Sequence, residues 1–222
     1  MSPTRNAGLA AGTTVHTPQG LRCVETLVNG DVVLTPSANG GAAIPKRVTA
    51  VSGPTMRPAF RVRCHGMHGD ENVNQSLVVA GDQLLHVVGA VDADPDFPPP
   101  AGWLEAARVY RSQVLQQAAG AGAQVSSVDP IWRTRSEGLG WIDLDRDSDA
   151  GWTIDMRSAP PVEARLLPGA VADFAGDPSF LDRYGDEEIA EACAYQCAMH
   201  GLAVEDGAPF FVGDRGFVVA SS

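Results

Sequence analysis

The sequence is short of the features that mark several large classes of protein. Of its 222 residues only four are cysteine (Cys23, Cys64, Cys193 and Cys197). They are too few and too scattered for a disulfide scaffold, and although an even count leaves two bridges formally open, free thiols are the expectation. No apolar run approaches the roughly 18 residues of a membrane span, and the opening MSPTRNAGLAAG lacks the apolar core of a signal peptide. A soluble protein of the cytoplasm is expected. Basic side chains are scarce as well: sixteen against twenty-seven acidic ones leave a formal charge of −11, which repels a phosphate backbone or an anionic lipid surface. Neither nucleic acid nor membrane is an expected partner.

What is present is enough apolar material for a core, 44% of residues, arranged mostly in short β-prone runs. From Thr14 the chain reads TVHT, a PQG turn, LRCVETL, a VNGD turn and VVLT. β-branched residues alternating with Gly, Asn and Pro breaks predict strand, turn and strand. RVTAV, AFRVRC, QSLVVA and LLHVVGAV continue the pattern to about residue 91, and the proline-rich DADPDFPPPAG then predicts an extended surface connection. WLEAARVYRSQVLQQA predicts a short helix with Leu104, Ala107 and Val114 facing inward. GLGWIDLD and GWTIDMRS predict a hairpin, with Trp132, Trp141 and Trp152 as aromatic anchors.

Beyond residue 170 the character changes. GDEEIAEACAYQCAMHG has an acidic start and a glycine stop that predict a helix, and PFFVGDRGFVVA predicts a hairpin. No internal repeat runs through the chain.

One joint pattern is specific: Gly12-Thr13, Val15, Thr17-Pro18, Gly20, Val24-Glu25, Leu27, Gly30-Asp31, Val33 and Thr35. Together these residues resemble the start of the Hint domain shared by hedgehog C-terminal domains and inteins, most closely its bacterial stand-alone branch. FRVRCHG, LVVAGDQLLHV, GWLEAARV, WIDLDRDSD and ARLLPG follow in the family's order. The resemblance implies a mainly β fold of the hedgehog/intein kind over residues 8–170, after a tail of residues 1–7. Residues 171–222 would form a small C-terminal extension of helix and hairpin.

The family's self-cleavage begins when a Cys or Ser, first in the domain, attacks the preceding carbonyl. A Thr-x-x-His motif binds that carbonyl and moves the proton, so nucleophile, proton carrier and polarising group must coincide. Carried onto this chain, the nucleophile position is Gly8, and the Thr and His positions are Ala80 and Gln83. A later histidine position falls on Ser148, in Asp145-Arg146-Asp147-Ser148, and no terminal His-Asn pair is present. Glycine cannot attack, and glutamine donates hydrogen bonds without shuttling protons. The piece upstream of Gly8 is only seven residues long.

Other residues carry competing readings. Cys193, Cys197 and His200 fall at i, i+4 and i+7 of the expected helix, as three ligands of a metal site or as the packed face of a core helix. Cys23 and Cys64 read as small buried hydrophobes. His86 lies three residues beyond Gln83, an odd offset that points it to the other sheet face. His16 reads as a surface or satisfied histidine. His65 and His68, with Asp70 and Glu71 beyond, read as a polar Gly-rich loop or a metal cluster, and RDSDAG and GDEE complete no calcium loop.

The leading expectation is a non-catalytic structural or protein-interaction module with no cofactor. Its partner would be another protein or further copies of itself, for example as a subunit of a phage-like particle, recruited through the emptied cleft or a free edge of the C-terminal hairpin. The alternative is a self-cleaving Hint domain with an unconventional nucleophile such as Thr13 or Cys23.

Overall fold

A computed structural model describes residues 8–37, 39–68, 71–91, 99–145, 147–176 and 192–222. Its strands in chain order begin with β1 (Leu9–Ala10), β2 (Thr14–Thr17), β3 (Gly20–Cys23), β4 (Val32–Thr35) and the long β5 (Ile44–His68). β6 (Glu71–Ala80), β7 (Leu84–Ala90), β8 (Gly102–Glu105), β9 (Gln113–Gln116) and β10 (Gly122–Pro130) follow. A second group comprises β11 (Trp132–Arg133), β12 (Leu139–Asp145), β13 (Ala150–Asp155) and β14 (Val162–Pro168), and leads into a single-turn helix α1 (Ala170–Asp173). The last strands are β15 (Gln196–Val204), β16 (Phe210–Val212) and β17 (Phe217–Val219).

The fold is mainly β, as the alternation of branched apolar residues and turn residues predicts. Val15, Val33, Leu85 and Val87 sit at alternate strand positions and are buried. The period-2 pattern therefore puts one face of each strand into a common core. The strands of the main sheet run in the order β15-β1-β6-β5-β10-β9-β7-β17-β16-β2-β3, with β4 on β5 and β8 on β7. β11 to β14 form a separate four-stranded sheet. Its Ile142 and Ile154, with Ile131 just ahead of β11, pack on Ala10, Ala59, Val78, Ala80 and Met199 of the main sheet.

Two expected helices are replaced. Trp103 and its neighbours form β8, a turn of 3-10 helix over Ala106–Arg108, and β9. Leu85↔Leu104 and Leu115↔Val87 pairing claims those residues for the sheet, a case of tertiary pairing overriding local propensity. The helix expected across GDEEIAEACAYQCAMHG begins outside the described residues, and its second half is the strand β15. Here Met199, Leu202 and Val204 are buried while β15 bonds to β5 from Gln196↔Pro58 to Val204↔Val48.

The C-terminal hairpin forms where expected, but it does not stand beside the β domain with a free edge. β16 pairs with β2 through Val212↔Val15, and β17 pairs with β7 through Val219↔Leu85. Both edges are used within the chain.

Gly12 shows how tightly the layers meet. Its φ is +79°, and a Cβ there would lie 2.2 Å from the nitrogen of Pro160 and 2.3 Å from the carbonyl carbon of Ala159. Gly20, at φ +114°, has open space around it. Gly12→Ala is expected to destabilise the protein by about 4 kcal/mol, combining left-handed strain with backbone overlap. Gly20→Ala should cost only about 1–2 kcal/mol. Urea unfolding of the two variants measures the difference.

Candidate functional site

β1 brings three of the four sequence-predicted positions together. The amide of Ala80 donates to the carbonyl of Gly8 at 2.9 Å, and the amide of Gln83 donates to the carbonyl of Ala80 at 3.0 Å, closing a turn through Gly81 and Asp82. Ser148 stands in the other sheet, exposed in the turn between β12 and β13.

At Gly8 the chain is buried, and the space a side chain would use is taken. A Cβ on Gly8 would lie 2.5 Å from the Cβ of Met199, which β15 holds opposite Ala10. Met199 and Ala80 are almost wholly buried and belong to the apolar cluster closed over by Ile131, Ile142 and Ile154. The space beside Gly8 is thus taken up by apolar packing.

Gln83 is 2% exposed. Its Nε2 donates to the carbonyls of Leu84 and Ala220, each at 3.2 Å. Its own carbonyl accepts from the amide of Ala106 at 2.8 Å, and Ala220 in turn donates its amide to Leu84 at 3.0 Å. A neutral amide makes these bonds with donors fixed in place and cannot hand over a proton near neutral pH. Chemically, the arrangement binds and orders backbone; it supplies no nucleophile at Gly8 and no proton carrier at residue 83.

The remaining candidates lie elsewhere. His86 packs against Trp103 in a tilted arrangement with ring centroids 4.8 Å apart, and its Nδ1 is buried without a hydrogen-bond partner among the described residues. His16 contacts the Gly213 carbonyl at 2.8 Å and His65 contacts Ser126 Oγ at 3.1 Å. Asp70 lies outside the described residues, as does GDEE; of His68 and Glu71 only the strand placement is described. Thr13 is buried and Cys23 half-buried, and neither hydrogen-bonds to a histidine among the described residues.

The metal reading of Cys193, Cys197 and His200 fails because its helical face does not exist. Cys193 is buried with Trp132, Trp141 and Phe174, Cys197 lies opposite Arg57, and His200 lies opposite Leu9. Among the described residues no group of three or more His, Cys, Asp or Glu side chains is placed to hold a metal.

All four cysteines are free thiols. Burial pushes Cys64 up to about 12 and Cys197 up to about 11, which keeps both protonated and unreactive. Tyr195, packed beside Cys197, is also pushed up, first by burial and then by Cys197, Asp155 and Glu137. Sequence reasoning missed Met199, whose contact with Gly8 joins residues far apart in the chain. It also missed Gln83's hold on Ala220, although a glutamine inside an apolar run is a signal for a buried donor.

No protein-family model and no curated protein matches the chain. Solved structures do. A bacterial intein-like domain from Clostridium thermocellum aligns over 96% of this chain and 98% of its own, with a TM-score of 0.51 at 14% identity. A DnaB intein from Synechocystis sp. PCC 6803 aligns over 98% of this chain and 99% of its own, with a TM-score of 0.50 at 7% identity. The chain has the Hint fold. The likeness spans almost the whole length of the chain. No helix among the described residues is long and apolar enough to cross a membrane.

Two outcomes are expected. Gln83→Leu should lose about 2 kcal/mol, because the Ala220 and Leu84 carbonyls lose their buried donor, and amide exchange in β17 measured by mass spectrometry should speed up. A thiol reagent added to the folded protein at pH 8 should leave Cys64 and Cys197 unlabelled. Labelling of Cys197 should grow only as pH climbs toward about 11, since a raised thiol titrates later.

Proposed function

We propose that this chain is a catalytically silent Hint-fold domain that serves as a structural or protein-interaction module, its partner being another protein or further copies of itself. The observation that carries this reading is the seal at Gly8. The residue standing where the nucleophile is expected has no side chain, and Met199 occupies the room for one. Ala80 and Gln83 extend the argument: one offers only a methyl group, and the other is committed to the carbonyls of Leu84 and Ala220. Acyl transfer needs a nucleophile and a proton carrier in contact, and here the same positions are spent on packing and on anchoring β17.

An interaction role draws support from the outer face of the smaller sheet. Trp152 and Leu166 face each other across β13 and β14, each about half exposed, and large apolar side chains left paired on a surface mark contact faces. With both edges of the C-terminal hairpin occupied, this face replaces the hairpin edge as the place to look for a partner. A subunit role in a phage-like or homo-oligomeric assembly is one form such a module takes.

The test is intact-mass spectrometry of the full chain with a carrier domain fused ahead of Met1, incubated with and without thiol. The parent is expected to stay whole. A variant carrying Gly8→Cys, Ala80→Thr and Gln83→His needs Met199→Ala as well, to make room for the new side chain, and is the form in which cleavage before residue 8 is expected to return. Release of the carrier from the parent itself would overturn the proposal, and the fragment mass would identify the bond and test Thr13 and Cys23 directly.

A further inference from the structure

Across the smaller sheet, Asp143, Trp152 and Leu166 stand side by side on β12, β13 and β14, joined by the pairs Asp143↔Trp152 and Trp152↔Leu166. Residues directly opposite each other in antiparallel strands share a face. The next row, Leu144, Gly151 and Leu167, points the other way, where Leu144 and Leu167 pack on the cluster of Trp132, Trp141, Phe174 and Cys193. The first row is therefore turned away from that cluster. All three of its side chains are exposed, Trp152 at 48% and Leu166 at 53%.

Asp143 makes no hydrogen bond or ion pair among the described residues. Asp147 and Asp149 lie exposed in the turn between β12 and β13 and add to the negative charge nearby. The row thus offers an unpaired carboxylate, an open indole beside it and an aliphatic side chain beyond.

In a chain of charge −11 an acidic partner is repelled, and a wholly apolar one would cover Asp143 and take its charge out of water unpaired. A cation answers both objections. Arginine suits the pair better than lysine, because a planar guanidinium stacks on an aromatic ring and forks onto a carboxylate, whereas an ammonium is a compact, strongly hydrated point charge. Leu166 calls for more than a lone cation. Neighbouring strands lie about 4.8 Å apart, and side chains two residues apart in an extended segment about 6.6 Å. An arginine seated over Trp152 and Asp143 therefore brings an apolar residue two positions away over Leu166. A second folded copy matches less well, since three side chains fall far short of the roughly 800 Å² per partner of a stable dimer.

Resting on the reading of this chain as an interaction module, we infer that the row is a docking site for an extended segment of a partner protein, one that carries an arginine two residues from an apolar side chain. The guanidinium pairs with Asp143 and lies on Trp152, and the apolar side chain covers Leu166.

Isothermal titration of the full chain with acetyl-Thr-Leu-Thr-Arg-Thr-Leu-Thr-amide tests it, beside the same peptide with lysine or with citrulline, a neutral isostere, in place of arginine. The arginine peptide is expected to bind one to one, at least tenfold more tightly than the citrulline peptide and threefold more tightly than the lysine peptide. Asp143→Asn and Trp152→Thr should each weaken it tenfold or more. Asp206→Asn, which removes the same charge from the exposed partner of Lys46, should change it less than twofold. Thermal melts check that the variants fold, and if Trp152→Thr does not, Asp143→Asn at an exposed position still decides. No binding at millimolar peptide, equal binding of either control peptide, or equal losses from Asp143→Asn and Asp206→Asn overturns the site. So does sedimentation of the free chain as a dimer that Trp152→Thr disperses, which would give the row to a second copy. These readouts concern the row alone, while self-cleavage is judged by fragment mass, so failure of the site and failure of the module reading are told apart.

Discussion

The insertion of Leu9 and Ala10 between β6 and β15 is the constraint on which the rest of the centre depends. Leu9 faces Val79 on one side and His200 on the other, and Ala10 faces Met199. With Leu9 almost wholly buried, full burial of a side chain of that size stabilises by about 1.5–3 kcal/mol, and its neighbours are held to strand spacing. That spacing fixes the distance from Gly8 to Met199, so the seal follows from the sheet itself. Placing a side chain at residue 8 means displacing a methionine that is also part of the contact between the two sheets.

The same strand order gives Gln83 its work. A histidine in this place would offer one donor and one acceptor whose roles exchange with protonation. A glutamine offers two fixed donors, and here they span the Leu84 and Ala220 carbonyls, tying the turn after β6 to the end of β17. The glutamine amide thus holds two strands in register. Ser221 works to the same end: its Oγ accepts from the Val204 amide at 2.8 Å and donates to the Leu202 carbonyl at 3.2 Å.

The parts legible in the sequence were those set by local chemistry. β2, β4 and the β12–β13 hairpin announce themselves through alternation and turn residues, and the Gly12 to Thr35 pattern carries the Hint likeness without any long-range information. What stayed hidden depended on distant partners. EACAYQCAMHG has the small residues and the glycine stop of a helix, yet Gln196 to Val204 finds a ready template in β5, more than a hundred residues earlier, and ladder bonding along its length outweighs weak helical preference. For the site, the resemblance pointed to Gly8, Ala80 and Gln83, and the structure brings these three together. The sequence held no local sign that Met199 fills the space, because that contact exists only once the sheet has formed.

The place of the final hairpin in the sheet also bears on the order in which the molecule can be made. β16 and β17 lie between β2 and β7, strands that emerge from the ribosome well over a hundred residues before them. Until Phe210 to Val219 is synthesised, β2 has no neighbour on that side and the edge of β7 is unpaired at Leu85, and until β15 arrives β1 has only one. The early two-thirds of the chain therefore waits as a set of open edges, the state most exposed to pairing with other chains. Closure is a late, long-range event of the kind that makes β proteins fold slowly.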